Sequence, residues 1–233
     1  MIKIYKNKQL GTSNLGWLNS HFHFSFADYY NPARMSFGPL RVINDDLIKA
    51  NTGFDTHPHR DMEIITYVID GELTHADNMG NKHTIQRGEV QYMSAGTGVF
   101  HSEHNRGEVT ARLLQIWILP DKKSYKPNYG DYRFEWNLRN NQFLHLVSGT
   151  DGSAPVKIHQ DANIYALELE QGNILEFEVK PSRQVYVVQI EGETLVNQKS
   201  FQEGDGLESV EENLHIEAIS KAHLLFIEMK KEI

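Results

Sequence analysis

The chain of 233 residues contains no cysteine. Disulfides are therefore excluded, and so is every thiolate metal site, which leaves imidazole and carboxylate as the side chains that can hold a transition metal. No run approaches the roughly 18 consecutive apolar residues of a membrane-spanning helix, so no membrane partner is expected. The opening stretch Met1–Lys8 interleaves lysines with apolar residues. It lacks the uninterrupted apolar region of a secretory signal, and a cytoplasmic location is expected. Positive charge is in deficit: 23 Lys and Arg against 31 Asp and Glu give a formal charge of -8. Nucleic-acid binding, which relies on clustered basic residues to neutralise phosphates, is not expected.

Against these deficits stand 12 histidines and an ordinary apolar content of 39% with 10% aromatics. Short apolar segments recur between turn residues. Leu40–Asn44 reads as a strand, as does the β-branched run from His57 to the turn signal Asp70-Gly71. Further strands are expected at Glu72–His75, Lys82–Ile85, Val90–Met93 and Arg112–Leu119, the last stopped by Pro120. His21–Tyr30 alternates apolar residues at Phe22, Phe24 and Phe26 and reads as a half-buried strand with His21 and His23 on its other side. Asp121–Asn141 is polar, with Pro127 and Gly130, and reads as a connector. Strands return at Phe143–Val147, Ile164–Leu169, Ile174–Val179, Gln184–Ile190, Glu193–Val196 and Leu224–Met229. The fold class expected is all-β, with two similar β modules.

One stretch stands out chemically. Thr56-His57-Pro58-His59-Arg60 spaces two histidines one residue apart, which puts both imidazoles on one face of a strand. The same alternation would turn Asp61 and Glu63 to that face. Such a charged face is costly to bury alone, and a divalent cation would compensate it; the plain alternative is that the face is simply wet. His101-Ser102-Glu103, after the Gly-rich bend Ser94–Gly98, repeats the i, i+2 pattern. Together the two segments offer three histidines and one glutamate, a sulfur-free set that suits Fe(II), Mn(II), Ni(II), Co(II) or Cu(II) and leaves about two octahedral positions open. Open positions point to chemistry, since a structural zinc usually closes its site. His21-Phe22-His23 is a second His-x-His, but no downstream His-x-Glu accompanies it, and it is read as structural or exposed.

The motifs carry a resemblance. Gly53, His57-Pro58-His59, Glu63 and Gly71 lay out a first cupin motif, and Gly88, Ser94-Ala95-Gly96, His101 and Asn105 a second. The phrases His57-Pro58-His59-Arg60, Asp77–Asn81, Met93–Gly98, His101-Ser102-Glu103 and Gln115–Ile118 resemble the pirin family within the cupin superfamily. Gly16-Trp17-Leu18, Phe24–Tyr30 and Leu40–Asp46 are similar to its bacterial branch of quercetin 2,3-dioxygenases. The spacing before His57 is shorter than in cupins generally, and serine replaces the usual proline at 94.

The resemblance implies a bicupin of two jelly-roll-like β-barrels, with a metal-binding domain at 1–125 and a degenerate, metal-free cupin at 126–233. It implies one divalent metal on His57, His59, His101 and Glu103, iron(II) foremost, with Mn, Ni, Co, Cu or Zn as other occupants, and Glu63 behind the ligands. His145, His159, His215 and His223 are then structural or exposed. The implied activity is a monomeric oxidoreductase that cleaves flavonols such as quercetin with O2, releasing carbon monoxide. Glu103 would double as proton acceptor, and aromatics of the N-terminal run would line the pocket. Two other readings stand beside it: a metal-binding regulatory or redox-sensing protein that acts through a protein partner, and a cupin enzyme of another substrate class for which quercetin is only an adventitious substrate.

Overall fold

In a computed structural model, which describes residues 2–231, the chain is built almost wholly of strands. Among the described residues there are 22 strands and two 3-10 helices, and no helix is long and apolar enough to cross a membrane. The chain divides into two compact units. Each has one seven-stranded and one four-stranded sheet.

The unit that runs over Gly11–Phe134, with Ile158–Gln160, carries the histidine motifs. Its larger sheet orders Asn128–Arg133, Glu89–Ser94, Glu63–Asp70, Ala111–Ile118, Leu40–Ile48, Leu18–Phe22 and Gly11–Asn14. Glu63–Asp70 lies between two neighbours and is buried on both faces from Glu63 to Ile69. That position suits its run of β-branched residues, since a central strand must pack on both sides. The smaller sheet orders Thr52–His59, Val99–Asn105, Glu72–Asp77 and Lys82–Gln86. Leu18, Ile48, Val68, Leu73, Ile85 and Leu113 form a buried cluster contributed by both sheets, and each such side chain contributes about 1.5–3 kcal/mol through burial.

The other unit has the same plan. Its larger sheet runs Ile2–Tyr5, Gly206–Val210, Arg183–Glu191, Ala222–Lys230, Ala162–Leu169, Leu144–Gly149 and Val156–Ile158. The first of these was not expected there. Residues 2–5 add antiparallel to Gly206–Val210, and Asp205 anchors the next two residues, accepting from Lys6 Nζ at 2.8 Å and from the Asn7 backbone N–H at 2.8 Å. The segment up to Leu10 thus belongs with the C-terminal strands, and a simple cut at residue 125 does not describe the units.

Three other expectations need correction. The strand expected over His21–Tyr30 ends at Phe22, because His23, Phe24 and Ser25 are all buried and cannot alternate. The strand expected from His57 to Asp70 is two strands in different sheets, broken at Arg60–Met62. Asp61 adopts a left-handed conformation at φ 49 there. The polar connector at 121–141 holds a strand, Asn128–Arg133, paired with Glu89–Ser94; its polarity follows from its place at the sheet edge.

Candidate metal centre

The ladder between Thr52–His59 and Val99–Asn105 places the motifs. His57 pairs with His101 and His59 with Val99, and a register shift between His101 and Glu103 sets Glu103 opposite Phe54. A bulge of this kind re-aims side chains locally, which is why bulges gather at functional sites. The strands approach closely at Gly53. A Cβ there would lie 2.2 Å from the backbone oxygen of Glu103 and 2.5 Å from His104 Cα.

One nitrogen each from His57, His59 and His101 lies within 4.8 Å of the others. His57 Nε2 and His101 Nε2 are 3.1 Å apart, and the ring of His59 meets the edges of His57, His101 and Trp117 at centroid distances of 4.9, 4.9 and 4.8 Å. Burial, together with the neighbouring imidazoles, lowers His59 to about 4 and His101 to about 3. Both rings are therefore neutral near pH 7 and have lone pairs to offer.

For His57 and His101 the hydrogen bonds say which nitrogen carries the free lone pair. His57 Nδ1 lies 2.7 Å from the Asp55 carbonyl and must donate to it, leaving Nε2 bare. For His101 the chain of contacts is longer. Asp77 accepts from the Met79 and Asn81 backbone N–H groups and from Asn81 Nδ2, and its Oδ2 lies 3.0 Å from His75 Nε2. Burial alone would raise the Asp77 carboxyl, yet these hydrogen bonds hold it below its ordinary value. An ionised Asp77 accepts a hydrogen bond from the His75 Nε2–H, so His75 Nδ1 is an acceptor for His101 Nδ1, 3.3 Å away. His101 Nε2 is then bare as well. Two lone pairs facing each other at this distance repel unless a cation sits between them. The donor set therefore fits a divalent metal.

Glu103 occupies a neighbouring position. It groups with His75 and His101 instead of with the three imidazoles, within the same 4.8 Å limit. It is buried, and its two carboxylate oxygens accept from Gln91 Nε2 at 2.9 Å and Gln115 Nε2 at 2.7 Å. Thr66 donates to Gln115 Oε1 at 3.0 Å and Tyr129 to Gln91 Oε1 at 3.3 Å, which fixes both amides. Glu63 is not behind the ligands. After the break at Asp61 it points away, accepting from Ser94 Oγ at 2.7 Å and meeting His159 Nδ1 at 3.3 Å. Asp61 is likewise absent from the site and accepts from the Ser124 N–H.

His75 and Asp77 are the functional residues that motif reading passed over. His75 is fully buried and stacks on Tyr129 at 4.3 Å. The available signal was a third i, i+2 pair, His75-Ala76-Asp77, on a strand ending in a turn. The remaining histidines stay outside both metal-compatible groups among the described residues. His23 is buried, His145 bonds to Asn163, His215 to Glu176 and His223 to Glu191. In the other unit, a cavity of about 500 Å³ is lined by Asp161, Asn163, Arg183 and Glu228, with Arg183 bonded to both carboxylates. A guanidinium in that place disfavours a cation.

Above the three imidazoles lies a cavity of about 260 Å³, close to the lower end of the roughly 300–1,000 Å³ typical of small-ligand pockets. Phe22, Phe26, Phe54, Trp117, Leu18 and Ile64 give it a mostly apolar wall. Phe22 and Phe26 come from the N-terminal aromatic run, as expected.

Comparison with known proteins agrees with this picture. The family model described as Pirin matches residues 4–118, and that of the quercetinase C-terminal cupin domain matches residues 145–229. A protein of Escherichia coli K12 named quercetin 2,3-dioxygenase is 40% identical over 98% of this chain and 99% of its own. A pirin-like protein of Caulobacter vibrioides is 41% identical over 94% and 96% respectively. The crystal structure of the E. coli bacterial pirin YhhW in complex with nickel(II) superposes with a TM-score of 0.92 at 38% identity, covering both chains completely. An all-β chain with two cupin units and a clustered imidazole site, related along its whole length to these proteins, belongs to the pirin family.

Proposed function

We propose that the protein is a metal-dependent dioxygenase that cleaves flavonols such as quercetin with O2, with one divalent transition metal on His57, His59, His101 and Glu103. The observation that carries this reading is the set of inward-facing imidazole nitrogens at the floor of an aromatic-lined cavity. The E. coli relative named quercetin 2,3-dioxygenase supports the choice of substrate class. A metal bound there supplies Lewis acidity that favours the ionised form of an enolic hydroxyl.

The remaining work belongs to the protein's own groups. Phe22, Phe26, Phe54 and Trp117 hold a flat aromatic ligand and keep water from it. The Asp77–His75–His101 chain holds the His101 ring in one tautomer. Gln91 and Gln115 orient Glu103, which serves as the fourth ligand and as acceptor of the enol proton. One chain carries every residue named, so the reading requires no second subunit.

The test is an oxygen-electrode assay of the iron-loaded protein with quercetin, alongside metal analysis. Equimolar loss of quercetin and O2, abolished in His57→Ala, is the expected result. Turnover of quercetin without O2 uptake would refute it. Stoichiometric metal with no turnover, together with a protein partner recovered by pull-down, would favour the regulatory reading.

A further inference from the structure

Two adjacent aspartates on the strand Leu40–Ile48 have opposite circumstances. Asp45 lies on one face and is gripped by Arg112, whose Nε and Nη2 donate at 3.0 and 2.7 Å. Asp46 lies on the other face and lines the cavity above the imidazoles, as does Asn44. Asn44 and Asp46 are both buried, each 3% exposed. Ser20, opposite Asp46 in the ladder, supplies one hydrogen bond to it. The Asp46 Oδ1 has no partner, and neither does Asn44 Oδ1. Trp117 Nε1, on a third residue lining the same cavity, is unpartnered too.

Buried polar atoms are nearly always satisfied, and each one left open costs about 1–3 kcal/mol. Three such atoms belong to residues that line this one cavity. In a mostly apolar pocket that Glu103 and Gln115 also line, they are placed polar groups of the kind by which such sites choose orientation and ligand. Burial, aided by Asp45 and Glu103 and opposed by the Ser20 hydroxyl, pushes the Asp46 carboxyl up to about 7. A carboxyl so short of donors is an avid acceptor for one that a ligand brings.

We propose that Asn44 and Asp46 form a hydrogen-bond-accepting wall of the cavity that selects polyhydroxylated aromatic ligands, taking up a phenolic hydroxyl other than the enol directed at the imidazoles. The wall explains why a mostly apolar cavity keeps two acceptors from adjacent inward positions of one strand. A ligand without the second hydroxyl leaves both acceptors buried and unpaired, and is rejected for that reason. This deepens the flavonol reading and rests on it for the choice of probes.

The experiment compares quercetin with 3-hydroxyflavone, which keeps the enol and lacks the other hydroxyls. Binding to the iron-loaded protein is followed anaerobically by tryptophan quenching, for wild type and Asp46→Leu, with metal content as the control for an intact site. Wild type is expected to prefer quercetin by about tenfold or more. Asp46→Leu, which is similar in size and accepts no hydrogen bond, is expected to lose that preference by weakening quercetin while leaving 3-hydroxyflavone unchanged. Equal affinity of wild type for the two ligands would overturn the proposal, and so would an unchanged preference in Asp46→Leu. If the variant fails to fold, the wild-type comparison of quercetin with its 3′,4′,5,7-tetramethyl ether still decides, equal binding being the overturning result. Oxygen uptake separates the two readings. A hydroxyl preference without O2 consumption sinks the dioxygenase and spares the wall; O2 consumption with no preference does the reverse.

Discussion

His57 and His101 face each other across paired strands with their Nε2 atoms 3.1 Å apart. Each ring has its Nδ1 committed elsewhere, His57 to the Asp55 carbonyl and His101 to His75. The pair is therefore poised for a cation and strained without one. Saturating the site at 100 times the dissociation constant should stabilise the fold by about 2.7 kcal/mol. His57→Ala should abolish that gain, measured as the metal-dependent shift in urea midpoint.

Asp77 governs the His101 tautomer through His75. In Asp77→Asn the amide oxygen stays with the Met79 and Asn81 backbone N–H groups, and the new NH2 faces His75 Nε2. His75 must then carry its proton on Nδ1 and donate to His101 Nδ1, which forces the His101 proton onto the nitrogen that should face the metal. Metal affinity is expected to fall about 10- to 100-fold with every proposed ligand still present. A competition titration gives the affinity, and nitrogen-15 imidazole shifts show whether the tautomer has moved.

Gly53 permits the close approach of the two ligand-bearing strands. A methyl at this position meets backbone atoms of Glu103 and His104, and backbone cannot step aside as a flexible side chain can. Gly53→Ala should cost about 1–3 kcal/mol, as overpacking does, and should weaken metal binding at the same time. Denaturation with and without metal separates the two effects.

His23 is buried, and that burial, with Arg34 and His21 nearby, lowers it to about 3. Between about 3 and the ordinary value of 6.5 the unfolded chain binds a proton that the folded chain refuses, so stability rises with pH across that window. The contribution is complete above about 6.5 and is lost as pH falls toward 3. His23→Gln should flatten the slope of unfolding free energy between about pH 4 and pH 6.

Asp46 has the opposite sign. Its carboxyl is raised from 3.8 to about 7 in the fold, so the folded state holds the extra proton and stability falls as pH rises through that interval. In metal-free protein, Asp46→Asn should be more stable than wild type at about pH 8, by up to about 4 kcal/mol for a shift of this size, with the gap closing toward about pH 4. Such a gain is the expected mark of a residue kept for ligand selection against its effect on stability.

Much of the molecule could be read from local pattern. Period-two alternation and turn residues are properties of neighbours in the chain, so the all-β class, the His57, His59 and His101 spacing and the family motifs were visible in the residues alone. The absence of cysteine restricted any metal site to imidazole and carboxylate. Where a reading relied on alternation running on unbroken, it failed. The left-handed Asp61 resets the phase, so Glu63 turns from the site toward Ser94 and His159. The destination of residues 2–5, on the edge of a sheet whose neighbouring strand is Gly206–Val210, depends on a ladder that no local pattern encodes. The same holds for His75, whose role appears only where paired strands bring Asp77, His75 and His101 into line. Asn44 ends the strand expected from the sequence and Asp46 lies beyond it; that both line one cavity appears only where the sheets close around them. The sequence by itself determined which groups are able to bind a metal, because that is their chemistry; the tertiary structure decided which of them meet, which proton each carries, and which buried polar atoms are left without a partner, because those depend on distances between strands far apart in the chain.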